Sequence, residues 1–175
     1  RSIAVTGVQT CALPIYYQQV DYRHADQIGL ESSIREYLEK LMGVFGEVWR
    51  VMSEGACLWI VIGDTYNNFS YVRSGSKDRA ANKSHSRRKL LDGYREKELL
   101  GVPFMLVDEM RAAGWIHRST NIWDKMIVGQ PMGSDKPTAS HEYVFQFVKI
   151  TTNGRPYAKC RPLGNSVWSI VPQSY

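Results

Sequence analysis

The sequence predicts an α/β fold, because segments with helical periodicity alternate with short apolar runs along the chain. An amphipathic segment at 33–52 precedes an apolar run at 56–62. A second helical segment at 103–113 precedes two runs of high β-propensity, at 115–123 and 142–148. Hydrophobic residues make up 43% and aromatic residues 11% of the 175 positions, which is typical of one ordered globular domain.

The first predicted helix begins at a serine. Ser33 and Glu36 match the S-x-x-E capping box, and Ser32 is the alternative N-cap. From Ile34 onward the apolar residues recur three and then four positions apart, which predicts a helix with one buried stripe over about 33–52. The run Ser53-Glu54-Gly55 then ends the helix.

The apolar run at 56–62 (ACLWIVI) is predicted to be a strand buried on both faces, the kind found in parallel sheets. Gly63 and Asp64 follow it, at the edge of the sheet where α/β folds usually bind ligands. Asp64 either contacts such a ligand or caps the turn that follows. The sequence leaves both interpretations open and slightly favours the cap.

The second half of the chain continues the alternation. Pro103 in an N1-like position and Gly114 as the C-cap predict a helix over 103–113. The runs 115–123 and 142–148 flank a loop rich in Gly and Pro at 129–137, and they are predicted to pair antiparallel at an edge of the sheet. A short apolar segment follows at 167–170.

Positive charge is concentrated in one segment. The chain has a net charge of +5, whereas residues 73–97 alone have a net charge of +6, from nine Lys and Arg against three Asp and Glu. Such a segment suits a polyanion such as nucleic acid, although a solvated loop without a partner has the same composition. The polar stretch at 65–98 is long for a loop in a compact domain, which marks it as functional or mobile. The candidate phosphate contacts are Arg73, Lys77, Arg79, Lys83, Arg87, Arg88 and Lys89.

Membrane, metal and disulfide signals are weak in this sequence. No apolar run approaches the roughly 20 residues that span a bilayer. The four histidines are scattered, without partners at metal-ligand spacing, so no metal site is expected. Cys57 and Cys160 are far apart and make no CxxC motif and no disulfide framework, which favours a reducing cytoplasm.

Five runs of residues in a fixed order, spread over the chain from Tyr16 to Trp168, carry a family resemblance. They are 16–22 with 26–31 (YYQQVDY, DQIGLE), 47–64 (EVWRVMSEGACLWIVIGD), 101–125 (GVPFMLVDEMRAAGWIHRSTNIWDK), 136–149 (KPTASHEYVFQFVK) and 165–168 (NSVW). In these runs the chain resembles the amino-group DNA methyltransferases, the N4-cytosine and N6-adenine family of restriction–modification and phage systems.

The resemblance implies a fold and a chemistry. The fold is part of the Rossmann-like, mostly parallel sheet of S-adenosylmethionine-dependent methyltransferases, with an antiparallel hairpin at its edge. The exocyclic amine of cytosine or adenine is a poor nucleophile, because its lone pair is delocalised into the ring. In the family a Ser/Asp-Pro-Pro-Tyr motif accepts hydrogen bonds from that amine, which then attacks the methyl group of S-adenosylmethionine.

The resemblance also implies roles for three residues. The target base is flipped out of the duplex, and Tyr16, with Tyr17 beside it, takes the position of the aromatic residue that stacks on the base. Such stacking recovers about 1–3 kcal/mol. The structural alternative for both tyrosines is packing at a strand end. Asp64 becomes a candidate for contact with S-adenosylmethionine.

The residues ahead of Tyr16 depart from the family motif. Leu13-Pro14-Ile15 stand where Ser/Asp-Pro-Pro is expected, and the string 5–15 (VTGVQTCALPI) resembles a translated sequencing adapter. We therefore expect residues 1–15 to be an artefact, followed by a partial N4/N6 methylase domain at 16–175 with a basic insertion at about 65–98. The chain contains neither the Ser or Asp acceptor nor a glycine-rich cofactor loop, so the fragment itself is expected to be inactive.

Other interpretations remain open at the level of the sequence. The dipeptide His141-Glu142 is either an acid–base pair or, as the family pattern favours, structural or substrate-orienting. Trp115, Trp123 and Trp168 are expected in the core rather than against a base. A non-catalytic DNA-binding module that uses the basic segment is the alternative to the enzyme. The expected partner is double-stranded DNA in the cytoplasm of a bacterial or phage system, and a cognate restriction endonuclease is a candidate partner.

Overall fold

The computed structural model describes residues 28–29, 31–67, 90–126, 135–137, 139–150 and 164–169. In that part of the chain the helices and strands follow in the order α1 (Ile34–Val51), β1 (Cys57–Ile62), α2 (Val102–Ala112), β2 (Ile116–Asp124), β3 (His141–Val148) and β4 (Val167–Ser169). The predicted α/β class is confirmed, and each predicted helix and strand agrees with the structure to within about one residue at either end.

Helix α1 begins as the capping signal predicts. The Ser33 hydroxyl accepts a hydrogen bond from the backbone N–H of Glu36 at 3.2 Å. The Glu36 carboxylate in turn accepts bonds from the N–H and the hydroxyl of Ser32, at 3.2 and 3.0 Å, so both serines take part in the cap. At the other end, Lys149 Nζ donates to the carbonyls of Trp49 and Met52 at 2.6 and 2.9 Å, which satisfies acceptors that a helix end leaves free.

The four strands form one sheet in the order β1-β3-β2-β4. Strand β3 lies between β1 and β2 and is antiparallel to both, while β4 is parallel to β2. The predicted antiparallel pairing of β2 with β3 is therefore confirmed. The prediction that this pair of strands lies at the edge of the sheet is wrong, because β3 is an interior strand. The prediction of a mostly parallel sheet is also wrong for the described strands, because β3 is antiparallel to both of its neighbours. The physical reason is that β3 buries residues on both of its faces: Val144, Phe145, Phe147 and Val148 are at most 4% exposed.

Strand β1 alternates instead of burying both faces. Leu58, Ile60 and Ile62 are buried, whereas the residues between them are only half-buried, so the prediction of two buried faces is wrong in the described structure. Cys57, the first residue of β1, is disulfide-bonded, contrary to the expectation that the cysteines make no disulfide framework. Neither described helix is long and apolar enough to cross a membrane.

Aromatic rings join the helices to the sheet. Trp115 is 3% exposed, and its ring packs edge-on against Trp49 of α1 and Phe147 of β3, with centroids 4.8 and 6.4 Å apart. The core position expected for Trp115 is confirmed. Trp123 is half-buried, as is Trp168, whose ring lies 5.7 Å from that of Trp59.

Candidate functional site

The carboxyl ends of β1 and β2 and the start of β3 meet at one edge of the sheet. Strands β1 and β2 both run antiparallel to β3, so their last residues face its first ones: Ile62 pairs with Tyr143, and Asp124 pairs with His141. The residues that follow β1 and β2 lie beside these positions. This is the edge at which the sequence places the ligand site of the fold.

Asp64, two residues after β1, is bound to the start of α2. Its Oδ1 accepts hydrogen bonds from the backbone N–H groups of Thr65 and Val102 at 2.8 and 3.2 Å, and its Oδ2 accepts one from Gly101 at 3.1 Å. Gly101 is the N-cap residue of α2 and has no side chain to cap the helix. A carboxylate in this position satisfies free N–H groups and interacts favourably with the helix dipole. Asp64 therefore caps α2 from outside the helix.

The surroundings of Asp64 act on its acidity in opposite directions. Burial raises the pKa of the Asp64 carboxyl above its usual 3.8, while the backbone hydrogen bonds from Thr65, Val102 and Gly101 lower it, and burial prevails. The three hydrogen bonds confirm the interpretation of Asp64 as a capping residue. Contact with a cofactor remains a prediction from the family resemblance.

A short paired connection, which we call the stem, extends from this edge. It consists of residues 65–67 and 97–100, joined around an isolated bridge between Tyr66 and Leu99. The N–H of Asn67 donates to the carbonyl of Glu98 at 2.8 Å, and the Asn67 carbonyl accepts from Lys97 at 2.8 Å. The N–H of Leu100 donates to the carbonyl of Thr65 at 2.9 Å. The stem therefore brings the two ends of the basic stretch 65–98 together.

The side chain of Asn67 fastens the stem to the turn at 91–95. The side chain is buried, with 1% of the residue exposed. Its Nδ2 donates to the carbonyls of Leu91, Tyr94 and Arg95 at 3.3, 3.0 and 3.3 Å, and its Oδ1 accepts from the N–H of Leu91 at 2.9 Å. Sequence reasoning missed this residue. Its signal was an asparagine near the start of the stretch 65–98, at a position where a buried amide can bind backbone groups near the other end.

Lys125 and Glu142 form an ion pair at the loop end of the β2–β3 hairpin. The Glu142 side chain lies over the end of β1, because a Cβ placed on Gly63 would be 3.5 Å from Glu142 Cγ. The His141 ring instead packs edge-on against Tyr143 at 5.3 Å. Successive side chains of a strand point to opposite faces, so the dipeptide His141-Glu142 does not form an acid–base pair, and its contacts are structural.

A second cation lies at the same edge. Lys136 Nζ is positioned over the ring of Tyr66, the central residue of the stem, in a cation–π contact. Lys125 and Lys136 both belong to the connection between β2 and β3. Lys136 contacts Tyr66, which follows β1, and Lys125 contacts Glu142, which lies over the end of β1. The described edge is formed by side chains from three strand ends rather than by one motif.

The remaining predicted site residues lie outside the described part of the chain. These are the two tyrosines predicted to bind the target base, Tyr16 and Tyr17, and the seven predicted phosphate contacts Arg73, Lys77, Arg79, Lys83, Arg87, Arg88 and Lys89. Among the residues that are described, no three His, Cys, Asp or Glu side chains are grouped as a metal site requires.

The described residues do not fit a site for S-adenosylmethionine. No glycine-rich turn follows β1, β2 or β3 in the described ranges, and the carboxylate of Asp64 is already bound by three backbone N–H groups. The described residues alone therefore do not form a site for S-adenosylmethionine, and contact of Asp64 with the cofactor stays a prediction from the family resemblance.

Comparison with known proteins identifies the class. The family model of the N6/N4 DNA methylases matches residues 10–168. The chain belongs to this family.

Individual relatives agree with that assignment, and a solved structure is similar in fold. Type II methyltransferase M.Cfr9I of Citrobacter freundii is 36% identical over 138 residues, which are 78% of this chain and 46% of the relative. Type II methyltransferase M.SmaI of Serratia marcescens is 33% identical over 145 residues, 82% of this chain and 48% of the relative. The chain thus spans about half the length of the curated relatives it matches. In fold, it is similar to TTHA0409 of Thermus thermophilus, provisionally assigned as a DNA modification methylase, with a TM-score of 0.50 and 17% identity over 80% of this chain and 53% of that one.

Proposed function

We propose that this chain is part of a site-specific DNA methyltransferase that methylates the exocyclic amine of cytosine (N4) or adenine (N6), with S-adenosylmethionine as methyl donor. The observation that carries the proposal is the match of the N6/N4 DNA methylase family to residues 10–168. The relatives named as type II methyltransferases support it, since they cover most of this chain. Double-stranded DNA is accordingly the proposed substrate, and a cognate restriction endonuclease is the proposed companion in a bacterial cytoplasm.

The proposed base-binding residues are Tyr16 and Tyr17, by their place in the family motif. An enzyme that acts on an exocyclic amine must take the base out of the duplex, at a cost of a few kcal/mol. A stacked aromatic ring offsets part of this cost, about 1–3 kcal/mol. The side chain that accepts hydrogen bonds from the amine is absent in this sequence, where Leu13 to Ile15 precede Tyr16. We therefore also propose that the chain with this sequence does not transfer methyl groups.

The basic segment is the proposed contact with the DNA backbone. Contacts between Lys or Arg and phosphates position a protein on DNA without reading its sequence, and they make binding depend strongly on salt. The cations at 73–89 provide seven such side chains. The described edge supports this role, because the stem fixes both ends of the basic stretch beside the carboxyl end of β1.

A methyl-transfer assay with labelled S-adenosylmethionine tests the proposal. The chain is compared with a longer protein from the source gene in which Ser/Asp-Pro-Pro precedes Tyr16. Signal from the longer protein, none from the chain, and loss of signal in the longer protein after Tyr16→Ala are the expected results. Absence of methyl transfer by both proteins, with salt-sensitive DNA binding retained, would overturn the proposed enzymatic function and identify a non-catalytic DNA-binding module.

A further inference from the structure

Phe104, in the first turn of α2, is the most exposed of the Phe, Tyr and Trp residues in the described ranges, with 49% of the residue open to solvent. We propose that its ring stacks on a nucleobase of the DNA substrate that has left the duplex stack. Phe104 is then a binding surface for the DNA in addition to Tyr16 and Tyr17. This inference rests on the proposed function, because it takes DNA to be the substrate.

The first argument is the contrast between Phe104 and the other apolar residues of α2. Four smaller side chains of this helix are at most 5% exposed: Val102, Leu106, Val107 and Met110. They form the apolar stripe by which an amphipathic helix packs on its core. The packing of α2 is therefore provided by these residues, and about half of the surface of Phe104 remains available to a ligand.

The second argument is that neighbouring rings hold Phe104 in one orientation. Its ring packs edge-on against Tyr143 and Phe145 of β3, with centroids 5.0 and 5.9 Å apart. Those two rings are parallel to each other, and Phe145 is fully buried. Edge-on aromatic pairs favour a defined arrangement, and a ring that is already fixed loses little conformational freedom when a ligand binds. Phe104 is thus a preorganised flat surface.

The third argument is the position of this ring at the edge of the sheet. Tyr143, which Phe104 contacts, pairs with Ile62, the last residue of β1. The carboxylate of Asp64 binds the N–H groups of Gly101 and Val102 and so fixes the start of α2 to the same edge. This edge, beyond the carboxyl end of β1, is where α/β folds usually bind their ligands. The exposed ring therefore lies where the proposed substrate is expected.

The fourth argument is the chemistry of the neighbouring residues. At the same edge Lys136 Nζ lies over the ring of Tyr66, and Leu99, which is bridged to Tyr66, is 51% exposed. Proteins that bind unstacked nucleic acid combine aromatic rings, on which bases stack, with cations that contact the backbone. An enzyme that modifies a base also takes that base out of the duplex. Rings together with a cation therefore favour a nucleobase over a purely apolar partner.

The test measures binding of the chain to two duplexes of equal length. One is fully paired, and the other carries a 2-aminopurine opposite an abasic site, so that this fluorescent adenine analogue is free to leave the stack and loses emission when it stacks on a ring. Phe104→Leu keeps an apolar side chain but removes the ring. We expect it to weaken binding of the unpaired duplex by at least about fivefold, the lower limit for loss of one stacked base, and to restore the emission. Binding and emission equal to those of the unchanged chain would overturn the inference.

Two further variants separate stacking from a structural role. Phe104→Trp keeps an aromatic ring and should retain the preference for the unpaired duplex over the paired one. Loss of this preference in both Phe104→Leu and Phe104→Trp would show that Phe104 serves only the packing of α2 and would overturn the inference. Val51→Ala, which changes a 64% exposed apolar residue at the end of α1, is the matched control and should bind both duplexes normally. A loss of preference in this control equal to that in Phe104→Leu would also overturn it.

Equilibrium dialysis with labelled S-adenosylmethionine distinguishes a DNA base from the adenine of the cofactor. We expect the unchanged chain and Phe104→Leu to give the same result in this measurement. If Phe104→Leu alone loses binding of the cofactor and keeps its preference for the unpaired duplex, the ring stacks on the cofactor and the assignment to DNA is overturned. If the unchanged chain binds neither duplex, the proposed function fails and this inference with it. DNA binding that Phe104→Leu leaves intact overturns this inference alone.

Discussion

Asp64 Oδ1 lies 3.2 Å from the backbone nitrogen of Val102, so the residue that follows β1 caps a helix that begins 38 positions later. A carboxylate usually caps the helix in which it is the N-cap residue. Here Gly101 occupies the N-cap position, with a φ of 71°, and the capping carboxylate comes from Asp64, before the stretch 65–98. Hydrogen bonds therefore join the end of β1, the stem and the start of α2.

The first prediction concerns this distant cap. Asp64→Ala should lower the free energy of unfolding by about 1 kcal/mol, within the usual range for losing an N-cap side chain. Urea unfolding monitored by circular dichroism at neutral pH measures the change. Asp108→Ala, which removes an exposed carboxylate from the same helix, is the matched control and should change the stability by less than about 0.5 kcal/mol. Equal effects of the two substitutions would contradict the cap.

The second prediction follows from the raised pKa of Asp64. Because burial raises the folded-state pKa above the unfolded value of 3.8, the folded chain binds this proton more tightly than the unfolded chain does. The contribution of Asp64 to stability is therefore greatest below pH 3.8 and declines as the pH rises through the folded-state pKa. Asp64→Asn removes the titrating group, so the stability difference between variant and unchanged chain should vary with pH in this range. A difference that is constant across acidic pH would refute the assignment.

The third prediction concerns His117 on β2. Its ring packs against Phe147 with centroids 5.3 Å apart, and its Nε2 lies 3.1 Å from the Ser119 carbonyl. Burial lowers the pKa of His117 below 6.5; nearby Arg111 acts in the same direction, and the Ser119 carbonyl opposes them. The stability due to neutral His117 is complete above pH 6.5 and is lost as the pH falls through the folded-state pKa. NMR titration should give a midpoint below 6.5, and His117→Gln should remove this component of acid destabilisation. A midpoint at or above 6.5 would contradict the burial argument.

The fourth prediction concerns the ion pair of Lys125 and Glu142. Their side chains are 33% and 26% exposed, between the surface and buried cases. A double-mutant cycle with Lys125→Met and Glu142→Gln should give a coupling energy of about 1 kcal/mol, near the upper limit for exposed pairs. The coupling should decrease in high salt. The pair Arg35 and Glu39, with side chains 89% and 64% exposed, is a control that should show markedly weaker coupling. A coupling near zero for Lys125 and Glu142 would show that the pair does not hold the hairpin end.

The fifth prediction concerns backbone strain in the stem. Lys97 has a φ of 66°, in the left-handed region that favours glycine. Lys97→Gly should raise the free energy of unfolding by up to about 1 kcal/mol, because glycine adopts this conformation without steric cost. Lys97→Ala removes the same cation without relieving the strain and should give no such gain. If both variants change the stability equally, the backbone conformation of Lys97 is not strained.

Local signals in the sequence were sufficient for the helices and strands. The cap of α1 depends on Ser33 and Glu36, three positions apart. Helix α2 ends with Ala113 as its C-cap, one residue before the predicted Gly114, which has a φ of 93°. The class of the fold and the pairing of β2 with β3 followed from the same kind of evidence. Such signals act within one or two turns of chain, so they can be read without the structure.

The arrangement at the edge of the sheet could not be predicted in this way. The contacts of Asp64 with Val102 and of Asn67 with Leu91 join residues 38 and 24 positions apart, and no periodicity encodes them. The interior position of β3 did have a signal, since Val144, Phe145, Phe147 and Val148 supply apolar side chains to both faces of one strand. From the sequence alone, however, this pattern does not distinguish an interior strand from an edge strand of high β-propensity, because the neighbouring strands are not known.

The stem also has a consequence for how well the domain should tolerate a change in the length of this region. Closing a flexible loop costs more as the loop grows, but only by about 0.6 kcal/mol for each doubling of its length. Because residues 65–67 and 97–100 are already held together by their own hydrogen bonds, a longer or shorter insert between them changes the stability of the sheet very little. We therefore expect an exchange of the residues between the two sides of the stem to leave the described strands and helices in place.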